Sequence, residues 1–240
     1  VIDLGDNDQI TVNNYFDIDN LSPLRQIIFS QVDGALYWYG TDLLDKISES
    51  IGNNLSTVTG MNDDDTLFGT SLSEQFEAFG GDDTIILEGQ NQGADQVDGG
   101  EGFDTILGGD GDDTFSFLNG LSAENSIERI DGGAGNNFIQ GNIFNNSFDF
   151  ANTELINISQ IITGAGDDTV FGSSGDDSID GGIGNDILFG AGGRDTLIGG
   201  EGDDTLSGGA GDDVFIVQGI EQGVDNFDGG EGFDTILGGD

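Results

Sequence analysis

A nine-residue alternation of glycine-rich, acidic and apolar positions runs without interruption through residues 163–216. The block divides into six units: TGAGDDTVF, GSSGDDSID, GGIGNDILF, GAGGRDTLI, GGEGDDTLS and GGAGDDVFI. Each unit has a glycine-rich turn that ends on Asp at position 6, and a short β-prone triplet follows with an apolar residue at position 8. The position-8 residues are Val170, Ile179, Leu188, Leu197, Leu206 and Phe215. Since side chains alternate along a strand, position 8 is predicted to face a core while positions 7 and 9 face the other way.

The period also predicts the architecture. Two units make one coil of 18 residues, and its two short strands face each other across a thin apolar core. Turns of successive coils then stack at the strand spacing of roughly 4.8 Å. We therefore expect an all-β fold of stacked coils.

The nine-residue phase divides the chain into four segments. Residues 1–11 fit a partial unit, and residues 12–59 do not follow the repeat. The phase returns over residues 60–162 with short insertions, and residues 163–240 contain the regular block, which we expect to continue beyond residue 240. Position 6 departs from Asp at Glu74, Glu128, Asn137, Asn146 and Ser159. The middle of the chain is therefore predicted to bind metal poorly or not at all.

The segment 12–59 has a different character from the repeats. The stretch TDLLDKISESIG, residues 41–52, has apolar residues at helical spacing between a Thr N-cap and a Gly stop, which predicts one short amphipathic helix. Tyr37, Trp38 and Tyr39 form an aromatic cluster in the same segment. Two interpretations stay open: a cap or insertion that covers the apolar edge of the repeat stack, or an aromatic patch that binds a ligand.

Composition narrows the chemistry. The 47 acidic residues face only 4 basic ones, and the formal charge of −43 excludes nucleic acid as a direct partner. With no Cys and no His, disulfides, zinc thiolates and the commonest general base are absent, so a hard cation bound by oxygen ligands remains. No apolar run approaches the roughly 18 residues of a membrane span. Composition alone would also fit a flexible acidic linker, but the strict phase argues against it.

The repeat itself suits Ca²⁺. Gly at positions 1, 2 and 4 is expected to allow positive φ angles and close approach of carbonyls, and Asp at position 6 adds a carboxylate. Six to eight oxygen ligands in flexible geometry favour Ca²⁺ over Mg²⁺. One buried apolar side chain per nine residues is too little to offset the ordering of nine backbones, and stacked carboxylates repel one another. Folding is therefore predicted to depend on Ca²⁺, with an expanded chain in its absence.

These units resemble the RTX proteins and their GGxGxDxUx nonapeptide, most fully in GGIGNDILF and GGEGDDTLS. The resemblance implies a right-handed parallel β-roll that binds multiple Ca²⁺ ions, about four of them in the regular block, between turns of successive coils. The implied sites are Gly164, Gly166 and Asp168 with Gly181, Ile183 and Asp186; Gly182, Gly184 and Asp186 with Gly199, Glu201 and Asp204; and, on the other side, Asp177 with Asp195 and Asp195 with Asp213. Thr163 at position 1, and Ser173 and Ala191 at position 2, depart from the pattern.

Over the whole chain the predicted metal ligands are aspartates at position 6 and glycines of the turns. They are Asp65, Asp83, Asp95, Asp104, Asp113, Gly164, Gly166, Asp168, Gly175, Asp177, Gly181, Gly182, Gly184, Asp186, Gly190, Gly193, Asp195, Gly199, Asp204, Gly208, Asp213, Asp225 and Asp234. An EF-hand is disfavoured because no DxDxDG loop is present.

For function, the sequence favours an extracellular, calcium-dependent structural protein of the surface-layer, fibre or adhesin type, without enzymatic activity or catalytic residues. The segment GFDTILGGD at 102–110 recurs at 232–240, which indicates a duplicated cassette. Apolar residues at the outward position 9 suggest self-association, and a cell-surface glycan is a second partner to consider. They are Phe68, Leu107, Phe171, Phe189, Ile198, Ile216 and Leu237. The alternatives are an accessory folding or secretion module of a larger secreted enzyme or toxin, and, less favoured, ice binding through Thr at position 7.

Overall fold

A computed structural model describes residues 55–89, 92–118, 120–217 and 223–238, together with the backbone of four short strands nearer the amino terminus. The chain divides into two compact units, Val1–Asn54 and Leu55–Asp240.

The first unit contains two antiparallel strand pairs. Strand β1 (Ile2–Asp3) pairs with β2 (Gln9–Ile10), and β3 (Ile28–Val32) pairs with β4 (Ala35–Tyr39). The helix predicted for residues 41–52 lies outside the described residues, so it stays a prediction.

The second unit is an all-β parallel β-solenoid, as the repeat predicts. Its strands form four sheets in which every pairing is parallel. The first sheet contains β5 (Ser56–Thr59), β7 (Glu74–Glu77) and β9 (Gln96–Asp98). The second contains β6 (Thr66–Phe68), β8 (Thr84–Ile86), β10 (Thr105–Leu107), β12 (Arg129–Asp131) and β15 (Glu154–Ile156).

The other two sheets extend through the regular block. The third sheet contains β11 (Thr114–Ser116), β13 (Asn137–Gln140), β16 (Ile158–Ile162), β18 (Ser178–Ile183), β20 (Thr196–Glu201), β22 (Val214–Val217) and β24 (Thr235–Gly238). The fourth contains β14 (Ser147–Asp149), β17 (Thr169–Phe171), β19 (Ile187–Gly192), β21 (Thr205–Ala210) and β23 (Asn226–Glu231). In the described part of the solenoid the helical content is one 3₁₀ turn, Ala123–Asn125.

Strand register gives the length of each coil. In the regular block, paired residues such as Thr169 and Ile187 are 18 residues apart, as predicted. The spacing is 21 residues between Thr84 and Thr105, and 24 residues between Thr105 and Arg129. The coil therefore changes length along the solenoid while the strands keep their parallel register.

The core is a single row of position-8 side chains from the facing sheets. The prediction that these residues are buried is confirmed for all six units of the regular block, from Val170 to Phe215, each of which is at most 1 % exposed. The same row continues towards the amino terminus through position-8 residues of the less regular units. These are Leu67, Phe76, Ile85, Val97, Ile106, Phe115, Ile130, Ile139, Phe148 and Ile161.

Insertions between units widen this core in the middle of the solenoid. Phe117 and Leu121 come from the six-residue insertion after β11, and Phe150 comes from the four-residue insertion after β14; all three are buried. Phe150 also stacks on Phe148, with ring centroids 5.8 Å apart. Consecutive strands β12, β13 and β14 belong to three different sheets here, so each coil has a third side. These three inserted side chains therefore enlarge the interior, while Leu118, Ser122, Ala151 and Asn152 of the same insertions are exposed.

Glycine serves two different purposes in the turns. Gly182 at position 2 and Gly184 at position 4 have φ angles of 88° and 144°, a region that favours glycine. Gly181 at position 1 does not have a positive φ, so at this position glycine serves the expected close approach of oxygen atoms. A Cβ atom there would lie 2.5 Å from Asp186 Oδ2, so this close approach favours glycine at residue 181, although Ala78 and Thr163 occupy position 1 of other units.

Candidate metal centres

Position-6 residues of successive coils are linked by hydrogen bonds into rows, which we call carboxylate ladders. The Asp168 N–H donates to Asp186 Oδ1 at 2.8 Å, and the Asp186 N–H donates to Asp204 Oδ1 at 2.8 Å. Five such ladders lie in the described part of the solenoid. Their members, in order, are Asp65, Asp83, Asp104 and Glu128; Glu74 and Asp95; Asp113 and Asn137; Asn146, Asp168, Asp186, Asp204 and Asp225; and Asp177, Asp195, Asp213 and Asp234.

The second carboxylate oxygen of most ladder aspartates is buried without a hydrogen-bond partner. Among the described residues this holds for Oδ2 of Asp83, Asp95, Asp104, Asp168, Asp186, Asp195, Asp204 and Asp213. A buried polar atom left unpaired costs about 1–3 kcal/mol, and more when it is charged. A row of such atoms is therefore stable only if something else, such as a cation, binds them.

The first member of each ladder has a local partner instead. The Ser173 N–H and Oγ–H both donate to Asp177 Oδ2, at 2.7 and 3.0 Å. In the other four ladders the N–H at position 2 likewise donates to the side chain at position 6 of its own unit. These pairs are Met61 with Asp65, Thr70 with Glu74, Gly109 with Asp113 and Asn142 with Asn146. Each ladder thus begins with a capped side chain, and in the four ladders that have unpaired oxygens these start one coil later.

Burial raises the pKa values of several buried ladder carboxyls. It raises the pKa of Asp186 to about 7, with a smaller contribution from the carboxylates of Asp168 and Asp204. The pKa of Asp195 also rises to about 7, mainly through burial, and that of Asp95 rises to about 8 for the same reason. Without a counter-charge, these sites therefore favour a proton near neutral pH.

Two oxygen atoms from successive coils converge beside several of the position-1 glycines. A Cβ atom on Gly181 would lie 2.5 Å from Asp186 Oδ2 and 2.6 Å from the carbonyl oxygen of Gly199 in the next coil. The position-1 glycines Gly190, Gly199 and Gly208 are likewise next to the Oδ2 atom of their own unit. Neighbouring acceptors without a donor between them repel each other, so this arrangement also favours a cation.

The structure brings together the residues of the first predicted site. The turn at 163–168 stacks on the turn at 181–186, where Gly164 O accepts the Ile183 N–H at 2.9 Å and Ile183 O accepts the Gly166 N–H at 2.8 Å. Each carbonyl has two lone pairs, so one stays available for a metal ion. Thr163, which replaces glycine at position 1, donates from Oγ1 to Gly181 O at 2.5 Å.

The remaining predicted sites are also stacked coil on coil. Gly184 N–H donates to Glu201 O at 2.8 Å, which aligns Gly182 and Gly184 with the turn that begins at Gly199. On the other side Gly193 has a φ of 116° and lies against the backbone of Gly175.

The structure also describes the two residues that replace glycine at position 2 and the last members of two ladders. At position 2, Ala191 adopts the glycine-like φ of 76°, whereas Ser173 does not and instead caps Asp177. At the far ends of their ladders, Asp225 is partly buried and Asp234 is exposed. The assignment of individual ligands stays a prediction throughout.

No three acidic side chains converge on one point in the described ranges. A cation in this structure would therefore depend on backbone carbonyls as much as on carboxylates. This donor set, all oxygen and largely main-chain, fits Ca²⁺.

Comparison with known proteins agrees with this chemistry. A family model of the RTX calcium-binding nonapeptide repeat matches residues 89–120, 123–147, 162–197, 189–217 and 221–240, more than half of the chain. The chain belongs to the RTX calcium-binding repeat family. It is therefore a calcium-binding repeat protein, and its RTX solenoid begins at Leu55, ahead of the first matched residue. A search of curated proteins gave no match. The described part of the chain has no helix that could span a membrane.

In this RTX solenoid the unpaired Oδ2 atoms and the turn carbonyls beside them are the groups that would hold Ca²⁺. The ion would supply positive charge between stacked carboxylates, which removes both their mutual repulsion and the cost of their unpaired burial.

Sequence reasoning missed two features of the turns. One is the position-2 cap described above, which the backbone N–H groups of Ser173, Met61 and Gly109 all form, so no residue type marks it in the sequence. The other is a second row of hydrogen bonds at position 5 on the surface, where Asn185 N–H donates to Asp167 Oδ1 and Asp203 N–H donates to Asn185 Oδ1, at 2.9 and 3.0 Å. The recurrent Asp or Asn before the position-6 Asp is its signature. The position-5 row and the carboxylate ladders both hold successive turns in register.

Proposed function

We propose that this chain is an extracellular structural repeat protein of the surface-layer, fibre or adhesin type, whose folding and assembly depend on Ca²⁺. RTX repeats occur in secreted proteins. Calcium sites of extracellular modules typically have affinities of about 10⁻⁴–10⁻³ M, which matches the calcium levels outside cells.

The proposal rests on one observation: eight carboxylate oxygens, in four of the ladders, are buried without a hydrogen-bond partner. They lie in the interior of a solenoid whose regular coils bury only two apolar side chains each. Without a cation, charge repulsion and desolvation act against such coils, and with one they become attractive interactions between coils. Calcium thus decides whether the coils are folded.

Assembly is supported by apolar side chains on the outer face of the strands. Phe68, Phe171 and Leu237 at position 9 are exposed, and Phe171 stacks on Phe189 with ring centroids 4.7 Å apart. Phe68, Phe171 and Leu237 lie in three different sheets. Within the third sheet, Leu237 is in register with Ile216 and Ile198, which are partly buried. Apolar rows of this kind are typical of interaction surfaces. Self-association through these rows would join solenoids side by side.

The test is a calcium titration followed by circular dichroism and light scattering, with EGTA as the reversal. We expect β-structure to increase with Ca²⁺ and to decrease again in EGTA, and we expect the particle mass to rise after folding. β-Structure that persists unchanged in EGTA would refute calcium-dependent folding. Folding that leaves the protein strictly monomeric at high concentration would refute assembly and favour the accessory-module alternative.

A pair of neighbouring substitutions supplies the matched control. Asp204→Asn removes a buried, unpaired ladder carboxylate, whereas Asp203→Asn makes the same change on the exposed side chain next to it. Asn185 already occupies the equivalent position 5 one coil earlier, where it accepts the same kind of hydrogen bond. We expect Asp204→Asn to raise the calcium midpoint several-fold and Asp203→Asn to leave it within about twofold, since an exposed charge is screened by solvent. Equal shifts in the two variants would count against the ladder as the calcium site.

A further inference from the structure

We propose that the central segment of the solenoid, residues 114–162, folds without calcium and acts as the scaffold on which the calcium-dependent coils on either side are built. The proposal rests on the calcium-coupled folding proposed above. It adds that the coupling is confined to the two flanking blocks, residues 55–113 and 163–238.

The buried asparagines of the central segment have hydrogen-bond partners within the chain itself. Asn137 is fully buried, its Oδ1 accepts the Asp113 N–H at 2.9 Å, and its Nδ2 donates to Asn157 O at 3.0 Å. Asn146 is also buried, and its Oδ1 accepts the Asn142 N–H at 2.9 Å. None of the eight unpaired carboxylate oxygens found among the described residues lies in this segment. Neutral amides thus occupy the positions where the flanking coils have buried carboxylates.

Charge density differs in the same direction. Residues 114–162 contain five acidic residues and one basic residue, whereas residues 163–216, only slightly longer, contain twelve acidic residues and one basic residue. The central cation, Arg129, pairs with Glu154 at 2.8 Å and lies over the ring of Phe103, 5.0 Å from its centroid. Self-repulsion without calcium is therefore much weaker in the central segment than in the regular block.

The central segment also has the larger apolar core. It buries nine apolar side chains, against six in the regular block of similar length. The nine are Phe115, Phe117, Leu121, Ile127, Ile130, Ile139, Phe148, Phe150 and Ile161. Four of them are phenylalanines, and two of these, Phe117 and Phe150, come from the insertions. Hydrophobic burial here replaces the stabilisation that calcium supplies elsewhere.

Hydrogen exchange with mass spectrometry on the whole chain, in EGTA and in saturating Ca²⁺, tests the proposal. In EGTA we expect peptides from residues 114–162 to exchange at least about 100-fold more slowly than peptides from residues 163–216, and in Ca²⁺ both to be protected. Rapid exchange throughout the chain in EGTA would overturn the proposal and leave calcium-coupled folding intact. Protection throughout the chain in EGTA would overturn both.

A variant that gains dependence on calcium distinguishes the proposal from simple destabilisation of the central segment. Asn137→Asp introduces a buried carboxylate into the centre, while Asn136→Asp adds the same charge to the exposed neighbouring side chain. We expect Asn137→Asp to lose central protection in EGTA by at least about tenfold and to recover it in Ca²⁺, with Asn136→Asp unchanged. Identical exchange in the two variants would contradict the proposal.

Discussion

Gly181→Ala tests whether the close approach of oxygen atoms beside the position-1 glycine contributes to stability. The added Cβ would lie 2.5 Å from Asp186 Oδ2 and 2.6 Å from Gly199 O, about 0.9 Å inside the 3.4 Å at which ordinary contacts begin. One of these neighbours is backbone, so the strain cannot be relieved by a side-chain rotation alone. Overpacking of this kind costs about 1–3 kcal/mol. Ala stabilises by about 0.4–1 kcal/mol through the unfolded chain, which offsets only part of the cost.

We therefore expect Gly181→Ala to lower the free energy of unfolding by about 1–2 kcal/mol in saturating Ca²⁺ and to raise the calcium concentration needed for folding. The matched control is Gly192→Ala on the neighbouring strand β19. There the new Cβ would meet nothing closer than Ser174 O at 3.8 Å, and φ is not positive. Urea unfolding monitored by circular dichroism measures both variants. If the two alanines have the same midpoint, the close approach at Gly181 has no energetic weight and the reasoning is wrong.

Two further predictions concern pH and the core. Burial raises the pKa of Asp186 and Asp195 to about 7, so without calcium the folded block binds protons that the unfolded chain has released above pH about 4. In EGTA, the free energy of unfolding should therefore fall as pH rises from about 4 to about 7, while calcium affinity should rise because protons compete for the same oxygens. Urea unfolding measures the first quantity and calorimetric titration the second. The argument is refuted if the two quantities change in the same direction across this window. Phe148→Ala should lower the free energy of unfolding by about 3–5 kcal/mol. Phe144→Ala, at a side chain that is 70 % exposed, should change it by less than about 0.5 kcal/mol in the same urea assay, and equal effects would contradict the assigned core.

Because the repeat is strict, the fold could be predicted from the sequence. Leu188 and Leu197, at the same position of successive units, both lie in the buried row, and coils of the regular block have the predicted 18 residues. A period of nine with one apolar position leaves little choice of architecture, because every unit must bury the same side chain in the same way.

The burial of the inserted residues and the capping at the ladder ends could not be predicted from the sequence in the same way. Phe117 and Phe150 lie outside the nine-residue phase, and only the three-dimensional closure of the coil shows that they face the interior. Asp177 and Asp195 occupy the same position of the same motif, yet one oxygen of Asp177 is capped by Ser173 while the corresponding oxygen of Asp195 has no partner. The difference depends on which turn has another turn stacked before it, a long-range property that local sequence does not encode.

The carboxylate ladders give the solenoid a direction. The N–H of Asp186 relies on the following coil for its acceptor, Asp204, whereas the first carboxylate of a ladder is satisfied by its own turn, as Asp177 is by Ser173. A coil that loses its predecessor can therefore close on itself, but one that loses its successor keeps a backbone donor without an acceptor. Damage at the carboxyl-terminal edge should spread inward coil by coil, while the amino-terminal edge of each ladder acts as a stop.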